Sequence, residues 1–262
     1  MASWAGNRRL IYVLIAVLII IAVIAVPIFI WLNRPPTCTD GIQNQNEEGV
    51  DCGGSCLSVC QVGNTGIVVD WARPFQVDKG IYDIGALVEN TNERIGSSQS
   101  VYHFKMCDAN NVLIAERFGK TFVLPGSKWV IFEGNIETGE RIPRHASIEF
   151  SDNMSWVQAD KTDPSIPDIG VRDQIFSERD GKPRLTVTIV NRSPFPVKNI
   201  EVVALLSNTE DTAVGVSRTI IEQLEKYGSA EVVFTWRTPF DIPPAKIDII
   251  PRVNYIKTPV TQ

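Results

Sequence analysis

Four of the five cysteines in this 262-residue chain fall between Cys38 and Cys60. They are Cys38, Cys52, Cys56 and Cys60, with 13, 3 and 3 residues between them. Thiols this dense either staple a short segment as disulfides or hold zinc. The paired C-x-x-C of a zinc ribbon is absent, which favours disulfides. A segment this short cannot bury a core, so staples are a sufficient reason for it to order. Three pairings are open, and spacing does not choose among them. Asp40, Asn44, Asn46, Glu47, Glu48 and Asp51 add hard oxygen donors among Gly41, Gly49, Gly53 and Gly54. Calcium takes roughly six to eight oxygens in flexible loops. Asp40, Asn44, Asn46, Glu48 and Asp51 are therefore a candidate calcium set, and solvated acids on a disulfide-tied loop are the alternative. The D-x-[DN]-x-[DN]-G order of an EF-hand is missing. No other cofactor is required.

Little else in the chain offers chemistry. The two histidines are His103 and His145. His103 shares a strand face with Val101, Lys105 and Cys107, and a Cys–His pair is the minimal nucleophile. Cys107 aligns with Leu206 of a second copy, described below, which argues for a buried, inert free thiol. As the odd cysteine, Cys107 also leaves an intermolecular disulfide open. There is no G-x-S-x-G elbow, no H-E-x-x-H and no phosphate loop. Glu137/Glu140 and Asp160/Asp163 carry no weight as carboxylate pairs in an acidic chain. Trp71, Trp129, Trp156 and Trp236 read as sandwich core more readily than as a sugar platform. Asn153-Met-Ser155 and Asn191-Arg-Ser193 fit the glycosylation sequon, the second weakened by Pro194. No catalytic residue is expected, and the chain reads as a non-enzyme.

Charge and hydropathy place these residues. The chain has 25 Lys and Arg against 30 Asp and Glu, a net charge of −5. Residues 1–33 hold Arg8 and Arg9 and no acid, so the rest carries 23 bases against 30 acids, a net −7. That excludes a broad basic footprint for nucleic acid. Leu10 to Leu32 carry no charge over 23 residues. As a helix they cover roughly 35 Å, enough for about 30 Å of hydrocarbon. Tyr12 and Trp31 lie near the two ends, where amphipathic rings favour the interface. The run exceeds the apolar core of a signal peptide and ends in Trp31-Leu32-Asn33-Arg34-Pro35-Pro36, which favours an uncleaved anchor. Arg8 and Arg9 put residues 1–9 in the cytoplasm and the remainder outside.

Beyond a cysteine-rich spacer at 33–61, the chain reads as strands. Gly66 to Trp71, Ser100 to Cys107, Lys128 to Phe132 and Arg184 to Val190 are apolar, β-branched runs between turn signals. Ile220 to Tyr227 is the one helix-like stretch. A repeat near 100 residues organises the runs. Ile84 to Asn90 parallels Leu185 to Asn191, and Val101 to Cys107 parallels Ile200 to Leu206. Leu124-Pro-Gly126 parallels Leu224 to Gly228, and Ile142 to Phe150 parallels Ile242 to Ile250. The expected architecture is all-β: sandwiches at 62–160 and 168–262, joined by a proline-containing linker at 161–167.

Two resemblances follow from these residues. Cys38, Asp40, Gly41, Asn44, Glu47, Gly49, Asp51, Cys52, Gly53, Gly54 and Cys56 match an extracytoplasmic module of the form C-x-D-G-x-x-N-x-x-E-x-G-x-D-C-G-G-x-C-x-x-C. Three residues rather than two precede Cys60. Each β repeat, with its strand-ending asparagine (Asn90, Asn191) and its leucine-to-glycine turn (Leu124 to Gly126, Leu224 to Gly228), resembles the FxLYD-type and late-embryogenesis-abundant-like Ig-fold sandwiches. These resemblances imply tandem Ig-like sandwiches outside the membrane, commonly without enzymatic activity. The expected function is a single-pass, membrane-anchored binding or scaffold protein. It would meet the bilayer through residues 10–32 and an envelope protein or cell-wall polymer outside. A structural or assembly subunit of a pilus, secretion or division apparatus is the alternative, and an envelope hydrolase a remote one.

Overall fold

The computed structural model describes residues 4–32, 38–44, 46–60, 66–152, 154–159 and 162–257. The Asn33 to Pro36 spacer, Asn153 of the first sequon and Asp160 of the joint lie outside them, as do the side chains of Arg8, Arg9 and Trp31. The chain divides into two compact units, Met1–Ser55 and Cys56–Gln262.

The first unit opens with helix α1 (Trp4–Leu32). It starts before the apolar run, and no proline lies between Trp4 and Leu10 to stop it. Ile11–Phe29 has a mean hydropathy of 3.2 and is buried nowhere against protein. That stretch is long and apolar enough to cross a membrane. The cysteine segment of this unit is turns, closed by a bridge between Gly49 and Cys52. Gly54 is obligatory there: a Cβ would lie 1.8 Å from the Asn46 carbonyl oxygen.

The described residues of the second unit form thirteen strands in two sandwiches. In the first, β1 (Ile67–Asp78), β2 (Ile81–Asn90) and β5 (Lys128–Glu137) form one sheet, ordered β1-β2-β5. β4 (Leu113–Val123), β3 (Ile95–Cys107) and β6 (His145–Phe150) form the other, with β7 (Val157–Gln158) also on β3. The second sandwich has sheets β8-β9-β12 and β11-β10-β13. These comprise β8 (Ile169–Arg179), β9 (Lys182–Asn191), β10 (Val197–Ser207), β11 (Ala213–Leu224), β12 (Ser229–Thr235) and β13 (Lys246–Arg252). All pairings are antiparallel. Residues 57–59 join this unit because the Val59 amide donates to the Trp156 carbonyl and the Gln158 amide to that of Leu57.

Each sandwich has its own core. Tyr82, Ile84, Tyr102, Phe104, Met106 and Trp129 fill the first; Leu185, Ile189, Ile200, Leu206 and Phe234 fill the second. A third cluster joins them. Trp71, Phe75, Leu87, Val130 and Phe132 of sheet β1-β2-β5 meet Val203, Leu205, Ala213, Val216 and Ile250 of sheet β11-β10-β13. The four sheets therefore stack as four layers, and strands β5 and β10 of the two inner sheets are buried on both faces along part of their length. That explains why β10 is buried continuously from Val202 to Leu206 and β5 from Trp129 to Ile131, without alternation. Leu205→Ala leaves a cavity in this shared layer and should cost about 2–5 kcal/mol, read by denaturant unfolding.

Two expectations change here. Ile220 to Leu224 is the end of β11, not a helix, with Ile220 paired to Glu201 and Ile221 to Ile200. Thr219, Ile220 and Ile221 are β-branched and pack as a strand. In β3 it is Met106, 1% exposed, that occupies the core position of Leu206, while Cys107 is half-buried on the outer face. The side-chain period of a strand is two, so a one-residue slip in alignment inverts the face.

Candidate functional site

Cys38, Cys52, Cys56 and Cys60 are all disulfide-bonded, and Cys107 is free. The acids between the first two cysteines serve the backbone. Asp51 takes the Asp40 amide on Oδ1 at 2.9 Å and the Gly41 amide on Oδ2 at 2.9 Å. Asp40 accepts the Ile42 amide on Oδ1 and the Asn44 side-chain amide on Oδ2. Glu47 is the buried acid, 8% exposed, and its Oε2 accepts the Asn44 and Asp51 amides. Glu48 and Asn46 are exposed. Of the candidate calcium set, Asp40, Asn44 and Asp51 are thus brought together by hydrogen bonds that close the turns. Asn44 Oδ1 is buried with no hydrogen-bond partner.

The outer face of β3 carries the other singled-out residues. His103 Nε2 lies 3.0 Å from Glu116 Oε2, and its ring stacks on Phe118 with centroids 4.0 Å apart. Cys107 pairs across strands with His145 rather than lying against His103. The geometry offers no third group to orient either imidazole toward the thiol, so the face holds no nucleophile–base–orienter set among the described residues.

Chemistry that the sequence reading missed lies where the sandwiches meet. Arg252 of β13 is 5% exposed. Its guanidinium donates to the Phe122 carbonyl at 2.6 Å and to Glu201 Oε2 at 3.2 Å, 4.2 Å above the Phe122 ring. Burial pulls its pKa down to about 10, with Glu201 opposing, so it stays charged at neutral pH. Arg218 lies 3.5 Å from the other oxygen of Glu201. The Tyr102 hydroxyl donates to Glu133 at 2.6 Å, and burial first, then that carboxylate, drives its pKa up. Asn254 donates to the Ser98 carbonyl, and Arg237 to Asn135 Oδ1, across the same junction.

A groove of about 720 Å³ opens beside this junction. β1 and Asp83 form one wall; the start of β11 and the 236–242 loop form the other. Asp83 takes the Asn135 amide at 2.8 Å, and burial raises its pKa against the pull of that amide and of Arg237. Trp236 is 7% exposed and packs on Phe240 with centroids 5.3 Å apart. A smaller hollow of about 580 Å³ is lined by Arg94, Asp163, Tyr255 and Lys257, among others.

Asp163 gives a pH dependence. The Ser165 hydroxyl and amide, then Lys257, hold its carboxyl down at about 2, below its ordinary 3.8. A depressed folded-state pKa adds stability above the unfolded value, and that stability is lost as pH falls from about 4 to about 2. Asp163→Asn should flatten the thermal midpoint across that window, measured by pH-resolved melting.

No family model matches this sequence, and no curated protein matches it. Among solved structures the chain is similar to the crystal structure of red sea bream transglutaminase, at 13% identity and a TM-score of 0.25. The match covers 72% of this chain and 31% of that one, so the chain spans about a third of that protein's length. At that score the likeness says nothing of what this chain does.

Proposed function

We propose that this chain is a single-pass, membrane-anchored scaffold that presents a two-sandwich binding body outside the cell membrane. One observation carries the reading: a helix with an exposed, uncharged stretch over Ile11–Phe29 precedes a four-layer β unit whose sandwiches share a buried core. Arg8 and Arg9, at the start of that helix and ahead of its apolar run, support a cytoplasmic N-terminus, and the disulfides of the cysteine segment suit an oxidising compartment. The two sandwiches are proposed as copies of one Ig-like unit, of the kind found in FxLYD-type surface proteins. Their sheet orders correspond, β1-β2-β5 to β8-β9-β12 and β4-β3-β6 to β11-β10-β13. A fused pair fixes the spacing of its outer surfaces, which a partner needs and two loosely tethered domains do not supply.

The test is capture of the full-length protein from its native membranes after crosslinking, against a version truncated after the cysteine segment. Recovery of one envelope protein or polymer by the full chain alone supports the reading. Recovery of this chain only, in higher multiples, would favour an assembly subunit; recovery of nothing refutes both.

For the cysteine segment we propose a covalently stapled spacer whose Asp40 and Asp51 carboxylates are spent on its own amides. Millimolar calcium should then leave the thermal midpoint unchanged, since only a ligand of the folded state raises it. A calcium-dependent rise lost in Asp51→Asn would instead assign the loop a bound ion.

A further inference from the structure

The groove between the sandwiches carries the strongest unassigned chemistry. It lies within the size range of ligand sites, and the shared core locks its two walls in place. Its walls offer aromatic carbon from Phe75, Trp236 and Phe240. Arg237, exposed on the groove wall, gives one N–H to Asn135 Oδ1 and keeps others for a ligand. Asp83 uses Oδ1 on the Asn135 amide and has no donor among the described residues for its second oxygen. An unmatched donor and an unmatched acceptor beside aromatic faces suit a molecule with hydroxyls on its edges and C–H bonds on its faces.

Charge narrows the class. Arg73, Lys79 and Arg237 are balanced by Asp78, Asp83 and Asp241 along the groove, so no net field selects an ionic ligand. The edge of β1 is a poor template for an added peptide strand. Pro74 lacks an N–H there, and register shifts interrupt the pairing at Val69/Trp71 and Gln76/Asp78. We propose that the groove binds an uncharged linear saccharide, with Asp83 and Arg237 holding its hydroxyls and Phe75 and Phe240 packing on its sugar faces. This rests on the binding-scaffold reading and names its ligand class and site.

The experiment uses the full-length protein in phosphocholine nanodiscs, free of glycosidic detergent. The probes are tetramers of β-1,4-linked N-acetylglucosamine, β-1,4-linked glucose and α-linked mannose. The readout is the indole N–H resonance of Trp236, assigned by its loss in Trp236→Phe. At least one probe should shift that resonance saturably. Asp83→Ala should weaken the binding about tenfold or more, as loss of a hydrogen bond to a charged group does. Phe240→Leu should weaken it less and, being half-exposed, leave the melting temperature in place. No shift from any probe at tens of millimolar, or a shift indifferent to Asp83→Ala and Phe240→Leu, overturns the assignment. Tighter binding of a heparin-like polyanion or of an extended tetrapeptide also overturns it. Membrane capture separates the two claims: a partner recovered equally well by the groove variants leaves the scaffold reading standing without the saccharide site.

Discussion

Arg252→Ala should destabilise the second unit by about 3–5 kcal/mol, the cost of stripping one partner from a buried ion pair. Three losses coincide. Glu201 keeps its charge at a side chain only 17% exposed, with Arg218 alone as counter-ion. The Phe122 carbonyl loses its 2.6 Å donor. The space over the Phe122 and Trp129 rings, where the guanidinium lies 4.2 and 4.9 Å from the centroids, is left unfilled. For a unit of this size the midpoint should fall by roughly 6–20 °C. Arg252→Lys should recover little, because an ammonium cannot serve a carbonyl and a carboxylate while lying flat on two rings. Arg252 and Glu201 belong to one sandwich and Phe122 and Trp129 to the other, so the loss should appear as weakened docking. Calorimetry should resolve one unfolding transition in the wild type and two in Arg252→Ala. A variant that melts within a degree of wild type would remove Arg252 from this role.

Asn90→Ala and Asn191→Ala should each cost about 3–5 kcal/mol, since each strands several buried polar groups at once. Asn90 is fully buried and donates through Nδ2 to the carbonyls of Ile95 and Leu124, both at 2.9 Å, while Oδ1 accepts the Asn92 amide. Asn191 is also fully buried and donates to Phe195 at 2.8 Å and Glu225 at 3.0 Å, while Oδ1 accepts the Ser193 amide. Even the backbone agrees: the Asn90 amide donates to Ser127 and the Asn191 amide to Gly228. Each asparagine ties the end of its strand to the following loop and to the turn between the fourth and fifth strands of its sandwich. Asn→Asp at either site should be worse than Asn→Ala near neutral pH, because a carboxylate oxygen would face two carbonyl oxygens. Equal losses at the two sites, read by chemical denaturation, are expected; tolerance at one would mean the hub matters in only one sandwich.

These asparagines mark what the sequence shows directly. The strand-ending asparagine recurs, after Val88-Glu89 in one copy and after Ile189-Val190 in the other, because a short side chain with both a donor and an acceptor serves this knot, so local chemistry exposes it. The apolar helix and the clustered cysteines are legible for the same reason: each depends on near neighbours in the chain. The docking of the sandwiches is not. Val202 to Leu206 and Trp129 to Ile131 read simply as strands, and nothing local says which residues leave one core for another. Arg252 looks like a surface base until β13 is laid on β10 and the Phe122 carbonyl comes to meet it. The groove escaped in the same way, since Phe75 and Asp83 lie more than a hundred residues from Trp236 and Phe240. The Cys107 position failed on register, where one residue decides between core and solvent.

The central claim, an uncleaved anchor with the β unit outside, is tested most directly by labelling one reporter thiol in intact cells. Ile175 is 61% exposed on β8, and Cys107→Ser removes the only free cysteine. In the Cys107→Ser, Ile175→Cys protein, a membrane-impermeant maleimide should react without lysis. The labelled chain should stay in the membrane fraction at full length. Reaction only after lysis would put the β unit in the cytoplasm, and a shortened, released product would make residues 10–32 a cleaved leader; either result contradicts the account.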